Sequence, residues 1–246
     1  VRFDILTLFP NMFEGPFQES ILKRAIGGGL LTLTIHDLRE YATDKHRVTD
    51  DAPYGGGGGM VMKPEPIFRA VETIVGAASS GTAPIILLSP QGRLFTQQMA
   101  WELAAQPRIV LICGHYEGVD ERVRELLIND EISIGDYVLT GGEIPAMVVV
   151  DAVTRLIPGV LGDPRAPCKD SHANGLLEYP QYTRPAVFRG QPVPEVLVSG
   201  NHAAVELWRR RQSIRRTYER RPELLETANL TAEDRAYLES LRRGDA

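Results

Sequence analysis

The chain has 246 residues, 43% of them hydrophobic and 24% charged, with a net charge of −5. That length holds one large domain or two modest ones around an ample core, and the composition is ordinary for a soluble globular protein. The negative balance confines any nucleic-acid surface to a local patch. Two cysteines, Cys113 and Cys168, cannot make a zinc site by themselves, and no apolar run approaches the ~18 residues a membrane helix needs. Such sparse cysteine suits a reducing compartment; with no signal peptide visible, the expected location is the cytoplasm. Cys113 ends an apolar run and is expected to be a buried small hydrophobe.

Phe3 to Phe9 reads as a buried strand closed by Pro10-Asn11. Phe17, Ile21 and Ala25 fall at helical spacing, which predicts a helix over 17–26 stopped by Gly27-Gly28-Gly29. Leu31, Leu33 and Ile35 alternate with Thr32, Thr34 and His36, a strand with one more polar face. A long charged connection over 37–59 ends in five glycines, Gly55 to Gly59. A connection of this length is usually functional or disordered, and glycines flanked by Tyr54 and Met60 let a planar group or a phosphate approach the backbone. They match neither the dinucleotide fingerprint nor a P-loop.

Then strands and helices alternate: helix 66–78, strand 85–88, helix 96–105, strand 109–113, helix 119–128, strand 132–134 and helix 144–156. Continuously apolar strands alternating with helices indicate an α/β protein with a mostly parallel sheet covered on both faces. Three successive strands end in polar, glycine-bearing loops near Ser89, Gly114 and Gly135. In open α/β sheets ligands bind at the carboxyl ends of strands, so these loops are expected to meet at one pocket. Gly141 and Gly142, just before a helix opened by Pro145, would present bare backbone to a flat heteroaromatic ligand.

The stretch 158–175 is rich in proline, glycine and charge and reads as an interdomain linker. Beyond it, a proline-punctuated segment to Val198 is expected to wrap without regular structure. Asn201 is a good N-cap for a helix running to Arg221, before Pro222. That helix holds seven arginines and two glutamates, +5 locally, which leaves −10 for the remainder. Arginine this dense, against the sign of the whole chain, favours a phosphate-contacting surface including Arg210, Arg211 and Arg215. Thr231 with Asp234 predicts a capping box for a last helix ending near Arg243.

Taken together, Leu8-Phe9-Pro10, Asp50 to Met62, Leu88 to Arg93, Cys113 to Arg122, Ser133 to Met147, Arg155 to Gly162, Asp170-Ser171, Tyr182-Thr183-Arg184-Pro185 and Ser199 to His202 resemble the bacterial tRNA (guanine-N1)-methyltransferase family. The resemblance covers the chain from its first strand to its arginine-rich helix, and the Ile-Gly-Asp-Tyr-Val-Leu block beside Thr-Gly-Gly-Glu is its most specific part. It implies methyl transfer to N1 of the guanosine immediately 3′ of the anticodon. It also implies a homodimer, a magnesium ion with unknown ligands, and a C-terminal trefoil knot of the SPOUT type, an exception to ordinary connection rules. The implied domains are a methyltransferase domain over 1–160, a linker over 161–175 and a tRNA-binding helical domain over 176–246.

The implied S-adenosylmethionine wall is Leu88, Ser89, Pro90, Gly114, Glu117, Ser133, Ile134, Gly135, Asp136, Tyr137, Val138, Leu139, Gly141, Gly142 and Pro145. Gly57, Gly58 and Gly59 join the three arginines as tRNA contacts. Gly58 stands where proline is frequent in the family, and His172 where phenylalanine is usual. Guanine N1 carries a proton, so a base must remove it as the methyl group moves in line. The charge that develops on O6 calls for a cation or an oriented donor. Asp170 matches the family's base and Arg155 its electrostatic partner. An aspartate in water is a weak base, so a closing linker that excludes water is expected. The alternatives are a non-catalytic RNA-binding protein that keeps the fold and, disfavoured by the missing phosphate fingerprint, a nicotinamide oxidoreductase.

Overall fold

The apolar run after Val1 forms β1 (Arg2–Thr7), whose residues from Phe3 onward are buried. The computed structural model describes residues 1–76 and 83–245, which fall into two units, Val1–Pro164 and Arg165–Ala246. In the first unit β1 is followed by α1 (Ser20–Gly27), β2 (Thr32–Asp37), the two-residue antiparallel pair β3 (Asp50–Asp51) and β4 (Val61–Met62), and α2 (Pro64–Val75). Next come β5 (Ile85–Leu94), α3 (Gln97–Ala104), β6 (Arg108–Cys113), α4 (Glu121–Leu126), β7 (Asp130–Ser133) and α5 (Glu143–Thr154).

Five strands make one sheet in the order β2-β1-β6-β5-β7, and every pairing in it is parallel. The strand period of two sorts the side chains into two cores. Phe3, Ile5, Ile86, Leu88, Ile109, Leu111 and Cys113 meet α1, α3 and α5 through Leu22, Met99, Val149 and Val153. Leu6, Ile85, Leu87, Val110 and Ile112 meet α2 and α4 through Ile67, Val71 and Val123. Burial on both faces is why these strands read as unbroken apolar runs.

Among these apolar strands Asp4 is fully buried. It is held by Arg2 at 2.8 Å, Arg108 at 2.8 Å and His36 at 2.9 Å. Burial would raise its pKa, but the hydrogen bonds from His36, Arg2 and Arg108 outweigh that and hold the carboxyl far below the usual carboxylate range.

Several element boundaries depart from the sequence reading, among them α1, which starts at Ser20 rather than 17, and α4, which spans Glu121–Leu126 rather than 119–128. The α2 helix begins at Pro64, which suits a first helical position, and stops at Gly76, whose φ of +86° no side chain favours. Residues 77 and 78 of the expected helix lie outside the described residues. More consequentially, β5 does not end at Leu88. Both Leu88 and Arg93 pair with Ile132 of β7, so Ser89–Gly92 is thrown out as a bulge before the strand resumes. Gly92 permits the return, because a Cβ there would fall on the Glu131–Ile132 backbone. Arg93 clips the end with a bidentate bond to Asp130, at 3.0 and 2.6 Å.

The second unit contains α6 (Ala166–Lys169), the short hairpin β8 (Val187–Phe188) and β9 (Gln191–Pro192), α7 (Glu195–Val198), α8 (His202–Arg220) and α9 (Ala232–Arg243). The hairpin and α7 fall in the stretch expected to lack regular structure, where the turn at Arg189-Gly190 closes the two short strands. The Asn201 side chain caps α8 by accepting from the Ala204 N–H, and Thr231 with Asp234 completes the capping box of α9. Leu176, Ile214, Ala228, Leu230 and Leu238 form its small core. Among the described residues, no helix is long and apolar enough to cross a membrane.

Candidate active site

The three loops anticipated at the strand ends meet at one pocket in the first unit. One is the Ser89–Gly92 bulge, through Ser89, Pro90 and Gln91, the second runs from Gly114 to Val119 after β6, and the third from Ser133 to Gly142 after β7, with Pro145 on α5 closing the wall. The chain steps from β5 to β6 in one direction and from β6 back past β5 to β7 in the other. Such a reversal is where an open α/β sheet leaves a crevice.

Glycines determine how closely these loops approach. Gly142 donates its N–H to the Gly114 carbonyl at 2.8 Å, and a Cβ on it would lie 2.7 Å from the Cys113 Cα. Gly135 has a φ of +157°, and the Tyr137 ring occupies the place of its side chain. Ser133 Oγ donates to the Gly135 carbonyl at 3.0 Å and locks that turn. Beneath the pocket, Thr7 Oγ1 donates to the buried Glu143 carboxylate at 2.7 Å, joining β1 to the first turn of α5. Burial first, and the nearby Glu143 charge second, push the Cys113 thiol well above its ordinary pKa, so it is an inert packing group.

Of the fifteen residues the resemblance implied for the cofactor wall, Asp136 is outside the lining, and the other fourteen are in it. Asp136 is exposed. The lining adds Leu87, Gln91, His115, Tyr116, Gly118, Val119, Arg124, Ile132 and Thr140, which the sequence reading did not name as site residues. His115 and Tyr116 lie between the flagged Gly114 and Glu117, and that adjacency was the available signal. His115 Nδ1 is buried and has no hydrogen-bond partner. Its ring packs 4.8 Å from Phe9 and 4.7 Å from Tyr116.

The Gly-rich segment is stitched to the same wall. Met62 N–H donates to the Gly118 carbonyl at 2.9 Å, and Glu117 N–H to the Met60 carbonyl at 3.0 Å. A Cβ on Gly59 would fall on the Glu117 side chain, whereas Gly57 and Gly58 face open space.

Arg155 is the C-cap residue of α5 in the first unit, and Asp170 that of α6 in the second. The arginines of α8 divide by what they touch. Arg210 binds Asp234 at 2.8 Å and the Asn229 carbonyl at 2.9 Å, so it fastens α8 to α9. Burial would raise the Asp234 pKa, but Arg210 and the Thr231 N–H together lower it. Arg215 donates to the Tyr237 hydroxyl at 3.3 Å, and Arg211 is exposed, 5.2 Å above the Tyr237 ring. Sequence position alone could not separate these roles. Among the described residues no cluster of three or more His, Cys, Asp or Glu is gathered where it could hold a metal ion.

A parallel α/β unit with a glycine-walled pocket beyond its strand ends, followed by an arginine-bearing helical unit, defines the class: an α/β protein with a ligand pocket in its first unit. Residues 1–227 match the family model described as tRNA (Guanine-1)-methyltransferase TrmD, and the chain belongs to that family. A relative from Dehalococcoides mccartyi, named tRNA (guanine-N(1)-)-methyltransferase, is 58% identical over 98% of this chain and 97% of its own. Relatives of the same name from Pelotomaculum thermopropionicum and Geotalea uraniireducens are each 59% identical, over 98% and 99% of this chain and 96% and 98% of their own.

Proposed function

We propose that this protein is an enzyme that transfers a methyl group from S-adenosylmethionine to N1 of the guanosine immediately 3′ of the anticodon in tRNA. One observation carries the reading: three loops of a chain belonging to this family converge on a pocket walled by glycine backbone and flat apolar side chains. An adenosyl group needs such walls, and Leu88, Ile134, Leu139 and Pro145 supply them beside Gly141 and Gly142. The buried His115 Nδ1 offers a polar contact that the protein itself leaves unmade. Bound there, S-adenosylmethionine supplies a methyl group on a positively charged sulfur.

The remaining chemistry falls to the chain's own residues. Asp170 accepts the N1 proton, which frees the lone pair that forms the new bond. Arg155 stabilises the negative charge that develops on O6. Gly57 to Gly59 and the exposed arginines of α8 contact the RNA backbone, and the second unit serves as the tRNA-binding part. The resemblance also implies magnesium, for which the described residues gather no cluster of carboxylates.

Two further features belong to the same reading. The fold includes a C-terminal trefoil knot of the SPOUT type, a reading supported by membership of the family. The active form is a cytoplasmic homodimer. Val138, 81% exposed, with Ile144 and Val148 on the outer face of α5, leaves an apolar surface suited to a second copy. Radiolabelled methyl transfer to anticodon-stem transcripts tests the activity. Incorporation should require the guanosine, and equal labelling after its replacement by adenosine would overturn the stated specificity.

A further inference from the structure

A second concavity, of about 410 Å³, lies wholly within the second unit and is larger than the 220 Å³ of the first-unit pocket. One wall is the segment Tyr179–Arg184, and the other is built by Val198 at the end of α7 and by Val205 and Arg209 on α8. Its lining combines aromatic faces with cations. Tyr182 is 50% exposed, and its ring packs 6.4 Å from Trp208 at a tilt of 52°. The Arg209 guanidinium lies 5.0 Å above the Tyr179 ring and bonds the Glu206 carboxylate at 2.8 Å through Nη1. Its Nε, however, is buried and has no hydrogen-bond partner. Burying an N–H without an acceptor is costly, and an acceptor brought by a ligand would relieve that cost. Arg184 adds a second, exposed cation to the lining.

We propose that this groove is a subsite for one unpaired nucleotide of the RNA. Its base stacks on Tyr182, an oxygen of its phosphate or base accepts from Arg209 Nε, and Arg184 neutralises the adjoining phosphate. The proposal rests on the tRNA reading above and extends it to a defined place in the second unit. Aromatic rings beside arginines are the general chemistry for holding splayed-out bases, because every base has a stacking face and every nucleotide an anionic link. A proline-rich peptide would use the tyrosines but has no anion for the arginines. Fully paired RNA would present phosphates but no free base face.

The test uses the full chain and a fluorescently labelled tRNA transcript, with a fully paired RNA duplex as control. Tyr182→Leu keeps bulk but removes the ring, and should weaken transcript binding roughly tenfold to a hundredfold. It should raise KM for tRNA with kcat unchanged, leave duplex binding and S-adenosylmethionine affinity alone, and be rescued by Tyr182→Phe. Arg184→Ala should weaken the transcript and reduce the salt slope. Transcript affinity unchanged in Tyr182→Leu, an equal loss on the duplex, or displacement of tRNA from the groove by a proline-rich peptide would overturn the subsite. If the unmodified protein neither binds nor methylates the transcript, the tRNA reading itself has failed; binding and methylation that survive Tyr182→Leu intact sink only the subsite.

Discussion

The two units build their candidate surfaces from different material. In the first, the pocket wall is largely backbone: glycines at 135, 141 and 142 let loops approach to distances that a Cβ would forbid. In the second, the surface is made of long side chains, with arginines and tyrosines standing on α8 and on the segment before β8. A backbone site depends on loop geometry and is indifferent to most polar substitutions around it. A side-chain site can be taken apart residue by residue and depends on ionic strength. The contrast also explains why the net-acidic chain can still offer a basic surface: seven of its 27 lysines and arginines fall within residues 201–221.

The sharpest test of the comparison is chemical. Asp170→Ala should lower the single-turnover methylation rate by roughly 10²- to 10⁴-fold, the usual contribution of a positioned base. Calorimetry should find S-adenosylmethionine affinity unchanged, because the proposed base lies in the other unit. A rate within threefold of the parent would remove Asp170 from the mechanism.

Next in size is Asp4→Asn, which breaks the buried ionic hub of the sheet and should cost about 3 kcal/mol in urea unfolding at neutral pH. The sign of its pH dependence follows from its lowered pKa. The stabilisation is fully present above about pH 4, the ordinary carboxylate range, and is lost as the pH falls below it. The stability gap between parent and variant should therefore narrow on acidification. A constant gap would mean that the hub contributes through packing rather than charge.

Gly142→Ala should cost about 1–3 kcal/mol and weaken S-adenosylmethionine, since the added methyl meets the Cys113 and Gly114 backbone. Gly58→Ala meets nothing and should stay within about 0.5 kcal/mol. Equal Tm shifts for the two would contradict a wall built on close backbone approach. The smallest effect is electrostatic. Replacing Arg211 and Arg215 by alanine should reduce the salt slope of tRNA binding by about one to two and leave Tm nearly unchanged. Arg210→Ala should instead lower Tm, because it removes the tie from α8 to Asp234.

Much of this was legible in residues alone. The alternation of apolar strands with helices announced the parallel sheet, and the Asn201 and Thr231 caps placed the starts of α8 and α9. The glycine-bearing loops after the strands named most of the pocket. The bulge at Ser89–Gly92 was not legible, because two residues of β5 compete for one partner, Ile132, and that pairing belongs to β7. Nor was the division among Arg210, Arg211 and Arg215, which one turn of helix separates into a tie, an exposed cation and a bond to Tyr237.

The sequence by itself therefore determined the main strands and helices, the buried thiol of Cys113 and the family, since these rest on periodicity, capping and motif. Only the tertiary structure decided the bulge at Ser89–Gly92, that Asp136 is not among the residues lining the pocket, and that Tyr182 and Arg209 border one groove. The physical reason is that periodicity and caps are interactions over a few residues. A pocket is set by pairing between strands and by which backbone can approach which, and those partners lie tens of residues apart in the chain.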